Sequence, residues 1–293
     1  MHPLLIFLLV FIGALFAGAL ITYPLYALVG LFKEPAFPDI AIIATQVCGL
    51  IFSLFYLKYA DAFDLEKIGL RERQGKYLRH LVSGFLGGLF ILGVLALGLI
   101  CLGIYGWHST RDINLTSVAV LLSGALITAL AVGVFEETMF RGALQQGLAK
   151  QTRPSTALVT ISMIYAAVHF IDYREPAGVD SIGWLTAAGQ FSSAYSHLVT
   201  PETIDAFLSL FVLGMLLGLV RMRTGNIIQC IGLHAGLVAG VKLFRFFTEY
   251  RPDNSYNYLV SSYDYRLGYL ALIWLILITA GYVWHKRGQS KLI

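Results

Sequence analysis

Charge is what this chain has least of. Only 13% of its 293 residues are Asp, Glu, Lys or Arg, against 57% hydrophobic, and the mean hydropathy is +0.73. A soluble domain is about a quarter charged, so a soluble globular fold is excluded. The net charge of +4 is too small for a nucleic-acid footprint, and loop lysines and arginines account for it. Cysteine is nearly absent: Cys48, Cys101 and Cys230 all lie in apolar runs, without metal spacing or a disulfide framework. They read as small buried hydrophobes. No HExxH, internal repeat or low-complexity linker occurs. The chain opens on "MHP" with neither a basic leader nor a small-residue cleavage site, so its first apolar run reads as retained.

What is present comes in long apolar blocks. Runs of about 18 or more residues with almost no charge read as membrane-spanning helices. The spacing predicts spans over 4–31, 39–58, 80–105, 116–148, 155–172, 204–222, 226–247 and 266–285. The expected fold is all-α: a polytopic transmembrane helical bundle of about eight spans, one membrane domain over 1–293. Its 29 glycines suit close helix approach in lipid. Pro24 is expected to kink the first span. The polar stretch 58–80 reads as a solvated connector.

Lysine and arginine bias predicts orientation. One side carries Lys58, Lys67, Arg71, Arg73, Lys76, Arg79, Lys150, Arg153, Arg221, Arg223, Lys286, Arg287 and Lys291. The other carries Lys33, Arg111, Arg174, Arg251 and Arg266, with Lys242 and Arg245 near a helix end. The first set is larger, which places both termini in the cytoplasm.

Within the fourth span stands "FEETMFRGAL", residues 135–144. A charged side chain there costs about 2.5–3.5 kcal/mol on insertion scales, so it faces the bundle interior and has a partner. Glu137 and Arg141 are four apart and share a helix face, which makes them an ion pair. Glu137 is then either structural or directly catalytic. Glu136 points about 100° away, its i+4 neighbour is Phe140, and only another helix can satisfy it. Two histidines qualify: His169 in the fifth span and His234 in the seventh. Glu136 and His169 both lie roughly 25 Å from the turn joining spans four and five. His234 is roughly 15 Å from the following turn on that side, so the heights agree only if the 4–5 hairpin protrudes.

A carboxylate converging with two imidazoles suits hydrolysis, with a general base and oxyanion donors. It also suits a zinc site on Glu136, His169 and His234, or proton-coupled transport. Transport lacks its usual markers, an inverted repeat or discontinuous helices.

These motifs resemble the CPBP intramembrane proteases, which include the eukaryotic CAAX prenyl endopeptidases and bacterial Abi-type proteins. "EETMFR" matches the EExxxR signature. "YAAVH" matches an aromatic-xxx-His motif, with Tyr165 where phenylalanine is usual and His169 as the histidine. His234 matches the third motif, but its fourth-following polar residue is Val238 here. The resemblance covers a protease core over 116–240.

The resemblance implies an intramembrane endopeptidase acting on a membrane-anchored protein or peptide, in a bacterial inner membrane. It implies that Glu136, helped by His169, activates water and that His234 stabilises the oxyanion. Glu137 is held by Arg141 or shares in positioning the water. No cofactor is expected; zinc is the alternative. Valine cannot supply the polar contact expected at 238. Either Asn226, Gln229 or backbone replaces it, or this member is slow or a non-catalytic, immunity-like binder. The 5–6 loop, with Trp184, Phe191, Tyr195 and His197, reads as an interfacial segment or a substrate-gating lid on the outer side. An outward site favours an exported substrate over a cytosolic one.

Overall fold

A computed structural model of the chain describes residues 3–289, apart from 33, 62, 72–74, 109–112, 172, 174–181, 194–199 and 201. It is a polytopic helical bundle. The helices are α1 Pro3–Gly30, α2 Phe37–Tyr59, α3 Leu65–Ile68, α4 Tyr77–Cys101, α5 Leu115–Glu137, α6 Gln145–Gln151, α7 Pro154–Val168, α8 Trp184–Ser193, α9 Ile204–Thr224, α10 Ile228–Phe247 and α11 Tyr269–Gln289. A π-helical segment, Thr138–Leu144, fuses α5 to α6, so one continuous helix runs over Leu115–Gln151. Among the described residues six helices are long and apolar enough to cross a membrane, and α7 and the Tyr269–His285 part of α11 are shorter apolar segments. The eight expected spans therefore fall on those six helices, on the short α7 and on α11.

Local chemistry sets several boundaries. Asn114 caps α5: its side chain accepts from the Ser117 amide at 2.9 Å, and Ser117 answers with its hydroxyl. Pro154 opens α7, where its missing N–H costs nothing. Gly225 ends α9 at φ 73°, a left-handed conformation that lets the chain reverse within three residues into α10. Helix α1 continues through Pro24.

Helices α4 and α10 meet almost backbone to backbone. Gly84 and Gly88 on α4 face Gly232 and Gly236 on α10, and a methyl at any of the four would overlap the other helix's main chain. Lipid supplies no hydrophobic drive between helices, so close van der Waals contact at small residues carries this packing. Gly87, next to Gly88, meets nothing. Gly88→Leu is therefore expected to cost about 1–3 kcal/mol or more through overpacking, while Gly87→Leu leaves the thermal midpoint in detergent unchanged. Equal midpoints for the two variants would show that α4 and α10 do not approach this closely.

At the face where α4 and α10 both end, Tyr105–Trp107 and Thr248–Tyr250 pair as two short antiparallel strands, β1 and β2, with Tyr105 opposite Tyr250. The Tyr105 hydroxyl donates to the Tyr265 carbonyl at 3.1 Å, and burial pushes its pKa up, keeping it a donor. The tyrosine-rich segment 251–268 is thereby folded back over this face. Helix α8 packs on α1 at the same face: Ala187 is buried with Phe37, Ala41 and Tyr173, and Trp184 meets Tyr23 edge to face at 5.2 Å. Tyr195, His197 and the side chain of Phe191 lie outside the described residues, as do Lys33, Arg73, Arg111, Arg174 and Lys291 from the orientation set. Two charges of that set belong inside helices. Arg221 is buried in α9 against Gly69, and Lys242 in α10 donates to Thr128 at 3.1 Å.

Candidate active site

The helix carrying Glu136 changes character within one turn. Over its first part it exposes Leu115, Val120, Leu122, Leu126, Ile127 and Val134. From Phe140 to Gln145 every residue is buried. The π segment starts directly after Glu137, and such insertions recur at functional sites. Here the helix dives into the bundle, and a run of six buried residues becomes tolerable because protein surrounds it.

Glu137 is the hub. Its side chain is 0% exposed, and its Oε1 accepts from Arg141 Nη1 at 3.0 Å and from His234 Nδ1 at 2.8 Å. A carboxylate accepts, so His234 carries its proton on Nδ1 and turns Nε2 away from Glu137. The expected Glu137–Arg141 pair is present, but it extends to a third member on another helix. Arg141 also donates to the Gly214 carbonyl at 3.3 Å and lies 4.3 Å above the Tyr165 ring. Those contacts compensate a charge that lipid would not tolerate alone.

Glu136 is placed differently. Its Oε2 is 3.8 Å from His234 Nε2, too long for a hydrogen bond, and has no hydrogen-bond partner. The partner expected from another helix is therefore a near neighbour and not a hydrogen-bonded one. Glu136 lines a cavity of about 200 Å³ between α1, α2 and the fused helix, together with Thr45, Gln46, Met139 and His169.

His169 is not inside a span. Helix α7 ends at Val168, and His169 forms its C-terminal cap, where Nδ1 faces the Tyr165 carbonyl at 2.7 Å. Nδ1 must donate there, which leaves Nε2 open. The His169 carbonyl accepts from the Tyr263 hydroxyl at 3.1 Å, so the segment over the far face holds this turn in place. Helix α7 is short, and its end lies within the bundle rather than at the surface. That is how His169 reaches the depth of the glutamates.

His169 also borders a second cavity, of about 240 Å³, between α4, α9, α10 and α11. Tyr165, His234 and Val238 line it near the histidines; apolar side chains such as Leu95, Leu213 and Trp274 line the rest, and Asp264 and Arg266 stand toward the far face. Two apolar cavities thus meet at His169, with Glu136 on one and His234 on the other.

Val238 sits on the cavity wall one turn after His234 and offers no donor. Neither expected substitute is there. Asn226 is at the start of α10, where its side chain accepts from the Gln229 amide at 3.3 Å, and neither residue lines either cavity. Among the described residues, no group of three or more His, Cys, Asp or Glu side chains is arranged to hold a metal ion. Glu136, His169 and His234 do not form such a group, although both imidazoles keep Nε2 open.

Sequence reasoning placed Glu136, Glu137, Arg141, His169 and His234 in one site, and the structure brings them together. It did not find the contact of His234 with Glu137, which no spacing within a single helix could signal.

Residues 117–239 match the family model described as type II CAAX prenyl endopeptidase Rce1-like. No curated protein matches the chain. The matched segment contains every side chain of the cluster, from Glu136 to Val238. Its apolar helices mark the chain as an integral membrane protein, and residues 117–239, less than half of its length, are similar to the type II CAAX prenyl endopeptidases.

Proposed function

We propose that the chain hydrolyses a peptide bond in a membrane-associated protein or peptide, using water activated by Glu136 and oriented by His169. One observation carries this reading. A carboxylate without a hydrogen-bond partner on Oε2 and an imidazole with an open Nε2 border one apolar cavity inside the bundle. In the first step the water oxygen bonds to the carbonyl carbon, its proton passes to Glu136, and the carbonyl π pair moves to oxygen. In the second, that pair returns, the C–N bond breaks, and the proton passes to the departing nitrogen. No metal enters either step. General-base assistance of this kind contributes about 10²–10⁴ in rate.

Glu137 acts through His234. It fixes the ring's tautomer and angle, as the third member of a triad does, and Arg141 balances its charge. The cavity bordered by His169 and His234 extends toward the face opposite the termini, where Arg266 stands. Phe244 and His234, both on its wall, are ten residues apart, roughly 15 Å along α10. With the termini cytoplasmic, in an inner membrane, this path opens outward and favours an exported, membrane-anchored substrate.

Val238 favours a second reading, a non-catalytic binding member of the same fold. The deciding experiment reconstitutes the purified protein in vesicles with a library of membrane-anchored peptides. Mass spectrometry should find defined products with a new C-terminus. A library left intact under conditions where the protein is folded would overturn the hydrolytic reading and leave the binding one.

A further inference from the structure

We propose that the hydroxyl of Tyr165 supplies the oxyanion hydrogen bond that Val238 cannot give, an inference that rests on the hydrolytic reading above. Tyr165, His169, His234 and Val238 line the same end of one cavity. Val238 has no polar hydrogen. The Nδ1 protons of the two histidines are already spent, on the Tyr165 carbonyl and on Glu137. With neutral rings, both Nε2 atoms accept rather than donate. Among the described residues, the Tyr165 O–H is the remaining neutral donor at this end of the cavity.

Its own situation supports that role. Tyr165 is only 1% exposed. Its hydroxyl makes no hydrogen bond to any described residue. Yet it is not sealed in protein as the Tyr56 hydroxyl is, so it opens on the cavity. A buried hydroxyl with unspent donor capacity is costly unless something else takes the bond. His169, whose ring meets that of Tyr165 at 4.6 Å, also borders the cavity of Glu136, the residue that takes the water's proton.

The ring is also held still. Arg141 covers one face at 4.3 Å, and Phe140 and His169 meet it edge to face at 5.3 and 4.6 Å. A donor fixed before the reaction needs no reorganisation when charge appears, which is what makes such groups effective. In the step itself Tyr165 donates a hydrogen bond and keeps its proton. The water's proton goes to Glu136 and the electron pair to the carbonyl oxygen, as written above.

The test is Tyr165→Phe, which keeps the ring and its contact with Arg141. On the membrane-anchored peptide cleaved fastest by wild type, kcat should fall about 10²–10³-fold with KM unchanged. Val238→Asn placed in the Tyr165→Phe background should return part of that loss. A peptidyl phosphonate, whose oxygens stand in for the oxyanion, should lose affinity for Tyr165→Phe by a similar factor, while the intact peptide does not. Unchanged kcat, or unchanged phosphonate affinity, would overturn the assignment of Tyr165. Hydrolysis by Glu136 would survive that outcome, provided Glu136→Gln is inactive. A wild type without cleavage sinks both.

Discussion

Glu136→Gln is expected to lower peptide cleavage by about 10²–10⁴-fold, the usual contribution of a general base, without loosening the bundle. The two adjacent glutamates are not equivalent. Oε2 is unbonded in both, but Glu137 is fully buried, lines neither cavity, and has its Oε1 held by Arg141 and His234. Glu136 is 16% exposed at its side chain and borders the cavity shared with His169. Glutamine keeps the shape and can still hydrogen-bond, but it cannot take a proton. It also removes a charge whose placement in a spanning helix costs about 2.5–3.5 kcal/mol on insertion scales. The thermal midpoint in detergent should therefore hold or rise as activity disappears. Cleavage at the wild-type rate by Glu136→Gln would remove Glu136 from the mechanism. A joint collapse of activity and folding would show instead that the carboxylate is structural, with a partner that replaces the long contact to His234.

Much of this arrangement was legible in the sequence because it depends on periodicity. Apolar runs mark the spans whatever their packing, and α2, α9 and α10 begin and end within a few residues of the expected 39–58, 204–222 and 226–247. The Glu137–Arg141 pair follows from i,i+4 geometry alone, and even the π segment that begins at Thr138 does not break it. Two boundaries went astray for physical reasons. The hydropathy of "VHFI" carries the fifth span past His169, but the chain turns there once Tyr165 and Tyr263 hold the residue. Apolar character carries the third span to 105, where Ile104 and Tyr105 are apolar because they pack under Phe244, not because they cross lipid. The pairing of Tyr105 with Tyr250 has no local signal, since three-residue strands far apart in sequence look like loops. Likewise, Gly84, Gly88, Gly232 and Gly236 are legible as small residues, but not as each other's partners.

The same contrast holds in the site. The sequence shows that Glu136 has no partner on its own helix. Only the tertiary fold shows that His234 lies between both glutamates, bonded to one and 3.8 Å from the other. That ring holds Glu137, while Glu136 alone of the two borders a cavity. A single-helix reading leaves Glu137 either structural or catalytic. The shared Oε1 favours a positioning role, exercised through His234.

Arg141→Ala should produce the largest loss of stability, because it strips the cation from that hub. The side chains of Arg141 and Glu137 are 1% and 0% exposed, and their contact is 3.0 Å. Removing one partner of such a pair strands the other charge away from water and costs about 3–5 kcal/mol. The guanidinium also bonds the Gly214 carbonyl on α9 and covers the ring of Tyr165 on α7, so three elements lose a common contact. Neutralising both partners is a different change. Glu137→Gln/Arg141→Met leaves no stranded charge, fills most of the volume, and keeps an amide oxygen for His234 Nδ1. The double variant should therefore recover much of the thermal midpoint in detergent lost by Arg141→Ala. Its activity should stay low, because a neutral amide no longer fixes His234 as a carboxylate does. Stability recovered without activity would separate the pair's structural task from its positioning task. If Arg141→Ala instead melts with wild type, Glu137 is not stranded by the loss, and the buried pair at this distance does not exist in the membrane.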